Sequence, residues 1–343
     1  MSAQYISICP ISVGWSEDDW ADSRLPLKIS DSLYVEDVSE IVRNTSLNIF
    51  VPQFYSQEEV DAVKQTRYAL VRHFECDDQG RPDQDEESAR VLYRLYLGLK
   101  VIRPTAGRYQ VFHYDMSQSI PRLPRGSRND HATILCECEL LNCIRWIDLQ
   151  ELAAIAPSLL SILTTAASPI SQAIQSSEIG YRADFLNVRH LLWVVGLDAL
   201  FTSMEWENQG ADLSAKRIEN FLGSTFQIYS DEHFLALGRP VPTTPPLKET
   251  LNDIYRLRNH FAHGAWPDKQ WAGRVSRRSA DFCRDVYYAE SLSEAASSIL
   301  RGCLRKILSD KKSVETFNDK ARMNAHFARL RLVRKKRVKC TTP

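Results

Sequence analysis

Nothing in this chain is in large excess. Its 43 basic residues are matched by 43 acidic ones, so no global field draws it to nucleic acid or to a membrane surface, and any such attraction has to be local. No apolar run is long enough to span a bilayer: the richest, Phe185 to Phe201, is short and is interrupted by Arg189, His190 and Asp198. The opening MSAQYISICP lacks a basic start followed by an apolar core, so no secretory signal is expected. Eight cysteines are scattered at irregular spacing, which does not make a disulfide framework and points to a reducing cytoplasm. Internal repeats and low-complexity tracts are missing. So are a glycine-rich phosphate loop, a nucleophile elbow and a paired-carboxylate signature in the N-terminal half.

What remains is an ordinary globular composition, 44% hydrophobic and 25% charged over 343 residues, long enough for two domains. Tyr5 to Val13 reads as an opening strand, and an acidic loop follows through Glu17, Asp18, Asp19 and Asp22. Leu33 to Ile49 is mixed and takes no firm type. Ser56-Gln-Glu-Glu59 matches a capping box and predicts a helix running to about Phe74. Cys76 to Ser88, with Gly80, Pro82 and six acidic residues, reads as an exposed loop. Leu92, Leu95, Tyr96 and Leu99 then repeat at helical spacing, in a helix ending before Pro104. Tyr109 to Tyr114 is aromatic and β-branched and predicts a strand. Ser117 to Asn129 reads as a basic, proline-containing loop whose Arg122, Arg125 and Arg128 are either solvated or set against phosphates. Ile134 to Trp146 fits a strand or a short buried helix. Within it and just before it, His131, Cys136, Cys138 and Cys143 offer zinc ligands. The spacing lacks a clean C-x2-C pair, and cysteine used as a small buried hydrophobe explains the set as well.

Asp148 to Ala166 looks helical, with Pro157 dividing or kinking it. Ser168-Pro169 and Ser176-Ser177 read as a linker, so the domain boundary is expected near 150 to 175. Beyond it the pattern is helical. Phe185 to Ser203 is apolar nearly all round and predicts a central buried helix. Asp198 is the exception in that helix, a carboxylate in need of a partner. Asp212 to Leu222 is a short amphipathic helix. Gly238 to Pro246 holds four prolines and cannot be helix interior. Ser279 to Ser309 predicts a long helix. The stretch from Lys320 to Lys339 carries nine cations and no acid, either a solvated terminus or a local attraction for a polyanion. The fold class expected is therefore α+β. It comprises a mixed α/β N-terminal domain over 1–150, an all-α up-and-down helical bundle over 175–312, and a basic C-terminal tail over 313–343.

Concentrated chemistry occurs once, in Leu251 to Gly264, LNDIYRLRNHFAHG. Leu251, Ile254, Tyr255 and Phe261 repeat at helical spacing, and Arg258, two turns after Leu251, points toward the same apolar face. A guanidinium there calls for an anionic partner, and Asp198 across a helix pair is the obvious one. Asn259 follows, then His263, and Gly264 suits a helix C-cap. One helix end thus carries a permanent cation, an amide and an imidazole, a set suited to work on a phosphate. Five residues advance an ideal helix by about 500°, leaving Arg258 and His263 roughly 140° apart. They share a face only if the last turn loosens near Gly264, or if a partner subunit completes the site.

Arg258-Asn259-His260-Phe261-Ala262-His263, with LNVRHLLWVVGLDALF upstream and a short helix ending at Gly223 between, resembles the HEPN superfamily in its Apea-like branch. The likeness covers roughly residues 175–310. It implies a HEPN-like helical bundle and a metal-independent endoribonuclease that uses no cofactor. Two protomers would pair so that both Arg-x4-His motifs face one cleft. By this resemblance His263 is the general acid/base for attack of an RNA 2′-hydroxyl on its neighbouring phosphate. Arg258 braces that phosphate, Asn259 orients it or the histidine, and Asp198 supports Arg258 from behind. The products would be a 2′,3′-cyclic phosphate and a 5′-hydroxyl. The resemblance further implies a homodimer, RNA as partner, and a part in antiviral defence or toxin-like growth arrest. It leaves an antitoxin or a trigger ligand to be found, with the N-terminal domain as sensor or substrate selector. HEPN domains also occur as non-catalytic dimerisation, nucleotide-binding or RNA-binding modules, and in that reading Arg258 and Asp198 simply staple two helices.

Overall fold

Alternation builds the first strand. Along β1 (Ala3–Pro10), Ile6 and Ile8 fall on one side and Tyr5, Ser7 and Cys9 on the other. The computed structural model describes residues 3–11, 25–44, 67–77, 79–103, 109–116, 122–128, 144–162, 168–202, 211–228, 246–264 and 288–339. They fall into two compact units, Met1–Leu160 and Ser161–Pro343. In the first unit, β1 joins β2 (Leu27–Ser30), β3 (Leu33–Asp37), β4 (Tyr68–Cys76), β5 (Gln110–Asp115) and β6 (Arg122–Arg128). The sheet runs β2-β3-β4-β1-β5-β6, and every pairing is antiparallel. On one face Ile6, Ile8, Ala69, Val71, Phe112 and Tyr114 close over Val38, just before helix α1 (Ser39–Asn44), and Val42 within it. On the other, helix α2 (Arg81–Ile102) lies against β4, where Arg72 donates to Ser88 Oγ at 2.8 Å. Helix α3 (Trp146–Ile162) is fastened to the end of α2 by Arg103 and Asp148, a buried ion pair at 2.5 Å.

The second unit is helical among its described residues. Its elements are α4 (Pro169–Arg182), α5 (Leu186–Phe201), α6 (Ala211–Leu222), α7 (Leu247–Ala262), α8 (Tyr288–Leu308), α9 (Lys311–Phe317) and α10 (Lys320–Lys339). Close helix approach depends on two glycines. A Cβ on Gly180 would lie 2.4 Å from Trp193 Nε1, and one on Gly196 would lie 2.7 Å from Leu300 Cδ2. Helix α8 packs against α4, α5, α6 and α7, and Trp193, Leu197, Leu251, Ile254, Ala295 and Ile299 meet in the interior without exposure. No described helix is long and apolar enough to cross a membrane.

The α+β class holds, and so do the strand at Tyr109 to Tyr114 and the helix through Leu92 to Leu99. Several local readings are corrected. The helix expected up to Phe74 is the strand β4 in its described part, because this aromatic and β-branched segment is claimed on both edges by β1 and β3; its capping box lies outside the described residues. The exposed loop expected through Ser88 gives way to α2 at Arg81, which has Pro82 in its first turn and Asp83 at its positive end. The loop expected over Ser117 to Asn129 contains β6. This strand pairs with β5 alone, and such an edge tolerates Pro124. Ser168 is no linker but the N-cap of α4, its side chain accepting from the Ser171 amide, and Ser176 and Ser177 are buried inside that helix. Helix α5 is not buried all round: Phe185 before it is 73% exposed, Val188 39% and Val195 49%. The basic C-terminal stretch is helical, as α10. His131, Cys136, Cys138 and Cys143 lie outside the described residues.

Candidate functional site

Helices α6, α7 and α10 converge on the C-terminal end of α5. The last carbonyls of a helix have no partner within it and carry partial negative charge, so they attract donors and cations. Here Arg217 on α6 donates to the Phe201 carbonyl at 2.7 Å. Lys320 at the start of α10 donates to the Thr202 carbonyl at 2.5 Å and to Ala199 at 3.4 Å. One residue upstream of Ala199, Asp198 adds a full negative charge to the same place.

Asp198 is the hub. Its Oδ1 accepts from the Tyr255 hydroxyl at 2.9 Å and from Thr202 Oγ1 at 3.1 Å. Its Oδ2 lies 3.7 Å from Arg258 Nη2, a loose ion pair in which the guanidinium side chain is 41% exposed. Burial pushes the Asp198 carboxyl above its ordinary value, and the Tyr255 hydrogen bond and the Arg258 and Lys320 charges hold that rise back. Burial, and next the Asp198 charge, raises Tyr255 well above the usual phenol range. Lys320 moves the other way, lowered by burial and partly restored by Asp198.

Arg258 therefore sits at the rim of the apolar face of α7 rather than within it. Leu251, Ile254 and Leu257 are fully buried, whereas Arg258 is half-buried and Asn259 exposed. Arg258 Nη1 also donates to Asn259 Oδ1 at 3.2 Å, so the cation and the amide act as one exposed donor surface backed by Asp198. His263 is the C-cap of α7, with φ −94° and ψ 10°, and Gly264 follows at φ +70°, a left-handed position that favours glycine. The His263 amide is shared between the Asn259 and His260 carbonyls at 3.1 and 3.2 Å, so the last turn tightens instead of loosening. The imidazole is exposed and makes no hydrogen bond among the described residues. The structure thus brings Asp198, Arg258 and Asn259 together and leaves the His263 side chain outside their hydrogen-bonded set.

His190 fixes the height of α7. It is fully buried on α5, with Nδ1 3.0 Å from Ser293 Oγ on α8 and Nε2 2.9 Å from the Ile254 carbonyl on α7. Its ring meets Phe261 edge-on with centroids 5.6 Å apart. Burial lowers its pKa to about 4, against the pull of the Ile254 carbonyl, so Nε2 carries the hydrogen given to Ile254. Sequence reasoning passes over His190 as an interruption in an apolar run. It also leaves out Thr202, whose local signal is a polar residue four positions after Asp198, and Lys320, whose part is set by neighbours distant in sequence. Among the described residues no group of three or more histidine, cysteine or carboxylate side chains has metal-site geometry.

The chain matches no known family, no curated protein and no solved structure.

Proposed function

We propose that the protein is a HEPN-type, metal-independent endoribonuclease that cleaves RNA by attack of a 2′-hydroxyl on the adjacent phosphate. The observation that carries this reading is the end of α7. A guanidinium and an amide, joined to each other and backed by Asp198, are presented on the surface, and an exposed imidazole stands at the cap one turn further on. Arg258 and Asn259 are donors for the phosphoryl oxygens, and charge-assisted bonds to them strengthen as negative charge builds in the transition state. His263 takes the 2′-hydroxyl proton or supplies one to the leaving 5′-oxygen. The tightened last turn keeps His263 off the Arg258 side, which favours a site shared by two protomers. Val188 and Val195, seven residues apart on one face of α5, are exposed, and Val195 lies three residues before Asp198, so an apolar surface for a second copy adjoins the cluster.

The experiment is cleavage of labelled RNA in EDTA. Wild type should cut, and Arg258→Ala and His263→Ala should not. Residual cutting by both variants at the wild-type rate overturns the assignment. A second reading, a non-catalytic dimerisation or RNA-binding module, has its own observation in its favour: Asp198 ties α5 to α7 through both Tyr255 and Arg258. In that case Arg258→Ala weakens the fold or the dimer, and the wild type has no nuclease activity to lose.

A further inference from the structure

Charge is segregated along this chain. Helix α10 carries Lys320, Arg322, Arg329, Arg331, Arg334, Lys335, Lys336, Arg337 and Lys339 with no acid among them. The whole sequence balances at 43 and 43, so everything outside α10 has an acidic excess. The root of the helix is well fixed. Asp319 accepts from the Arg322 amide at 2.8 Å. Met323 and Phe327 are buried; Phe327 lies with its ring 6.1 Å from those of Phe201 and Phe317, and the Arg217 guanidinium lies 4.4 Å from the Phe327 centroid. The first turn therefore stands beside the C-terminal end of α5, with Lys320 on its carbonyls and within the field of Asp198. Arg322 and Arg329 are exposed.

Further along, Arg331 to Lys339 holds six cations in nine residues. At about 100° per residue the four consecutive positions 334–337 sweep roughly 300° of the helix circumference. No apolar stripe is left for a bilayer to take up. A chain of phosphates, in contrast, can be met from any side and gains by releasing its counterions.

We infer that α10 is an RNA-backbone-binding arm, rooted by Lys320, Met323 and Phe327 next to the Asp198–Arg258 cluster, so that phosphates held along it lead toward that cluster. The choice of RNA rests on the ribonuclease reading; the binding does not depend on cleavage. The test uses the full chain and a fluorescent single-stranded RNA with 2′-O-methyl riboses, which lacks the attacking hydroxyl. Arg331, Arg334, Lys335, Lys336, Arg337 and Lys339 are changed together to Gln, leaving the buried anchor in place, and an unchanged melting temperature verifies the fold. The expected result is at least a tenfold loss of affinity at low salt. The slope of log affinity against log salt should also flatten, by roughly 0.7 for each phosphate that the variant no longer neutralises. Affinity and slope equal to those of wild type overturn the inference, as does tighter binding of wild type to phosphatidylserine vesicles than to the RNA. A wild type that binds this RNA through α10 yet never cuts unmodified RNA removes the ribonuclease reading and leaves the arm standing.

Discussion

Acid should weaken the helical unit through His190, and a second buried group masks the effect. His190 is neutral in the fold, lowered to about 4 from 6.5 by burial. Between those values the unfolded chain binds a proton that the fold does not, so stability is full above the unfolded pKa and falls as pH falls toward the folded one. The whole drop corresponds to about 3 kcal/mol. Glu294 on α8 acts in the opposite sense. Burial, and then the Glu290 charge, raises it from 4.5 to about 7, so the fold holds a proton there that the unfolded chain has lost, and stability falls as pH rises through that window. The two slopes nearly cancel where the windows overlap, and wild type should show a shallow profile. Glu294→Gln removes one slope and should expose the other, a steady loss of stability on acidification from pH 6.5 to 4. Adding His190→Gln, which keeps a donor for the Ile254 carbonyl, should flatten the profile again. Urea unfolding of the full chain, followed by far-ultraviolet ellipticity across that range, measures the differences between variants. Superimposable profiles for the single and double variants would refute the reasoning, because they would mean that His190 is not held neutral between Ser293 and Ile254.

Other outcomes follow from packing and charge. Gly180→Ala places a methyl group 2.4 Å from the buried Trp193 ring and should destabilise the helical unit by about 1–3 kcal/mol, seen as a lower Tm; an unchanged Tm means that α4 and α5 can separate at no cost. Arg103→Ala removes the 2.5 Å partner of buried Asp148, which keeps the Arg145 guanidinium at 3.3 Å and the Arg145 amide at 2.9 Å, and should cost about 1–3 kcal/mol, read in denaturant unfolding. A loss below about 1 kcal/mol would class the pair with exposed ones.

What can be read from the sequence follows from how local its causes are. Helices α5 to α8 are legible because apolar residues dominate them or recur at helical spacing and because Pro246 and Gly264 punctuate α7, whereas α4 is hidden by serines that look like a linker. The pairing of Asp198 with Arg258 is legible because a lone carboxylate in an apolar helix needs a cation. Strand β4 is hidden because its identity comes from β1 and β3, which flank it, and a plausible capping box upstream points elsewhere. Strand β6 is hidden because Pro124 and Gly126 look like a loop unless the strand is known to lie at an edge. Helix α10 hides behind its charge, although Asp319 is in place to cap it and Met323 and Phe327, four residues apart, already mark one buried face. Lys320 and His190 are out of reach for a different reason. Each acts on the backbone carbonyls of another helix, and carbonyls leave no trace in sequence.

At the end of α7, His263 can be replaced without touching the fold, because its exposed side chain makes no hydrogen bond among the described residues. Wild type and His263→Ala should have the same Tm and the same affinity for 2′-O-methyl RNA. Incubated with unmodified RNA in EDTA, wild type should yield fragments ending in a 2′,3′-cyclic phosphate, and the variant should yield none. Equal cleavage by the variant, or no cleavage by wild type, contradicts the account.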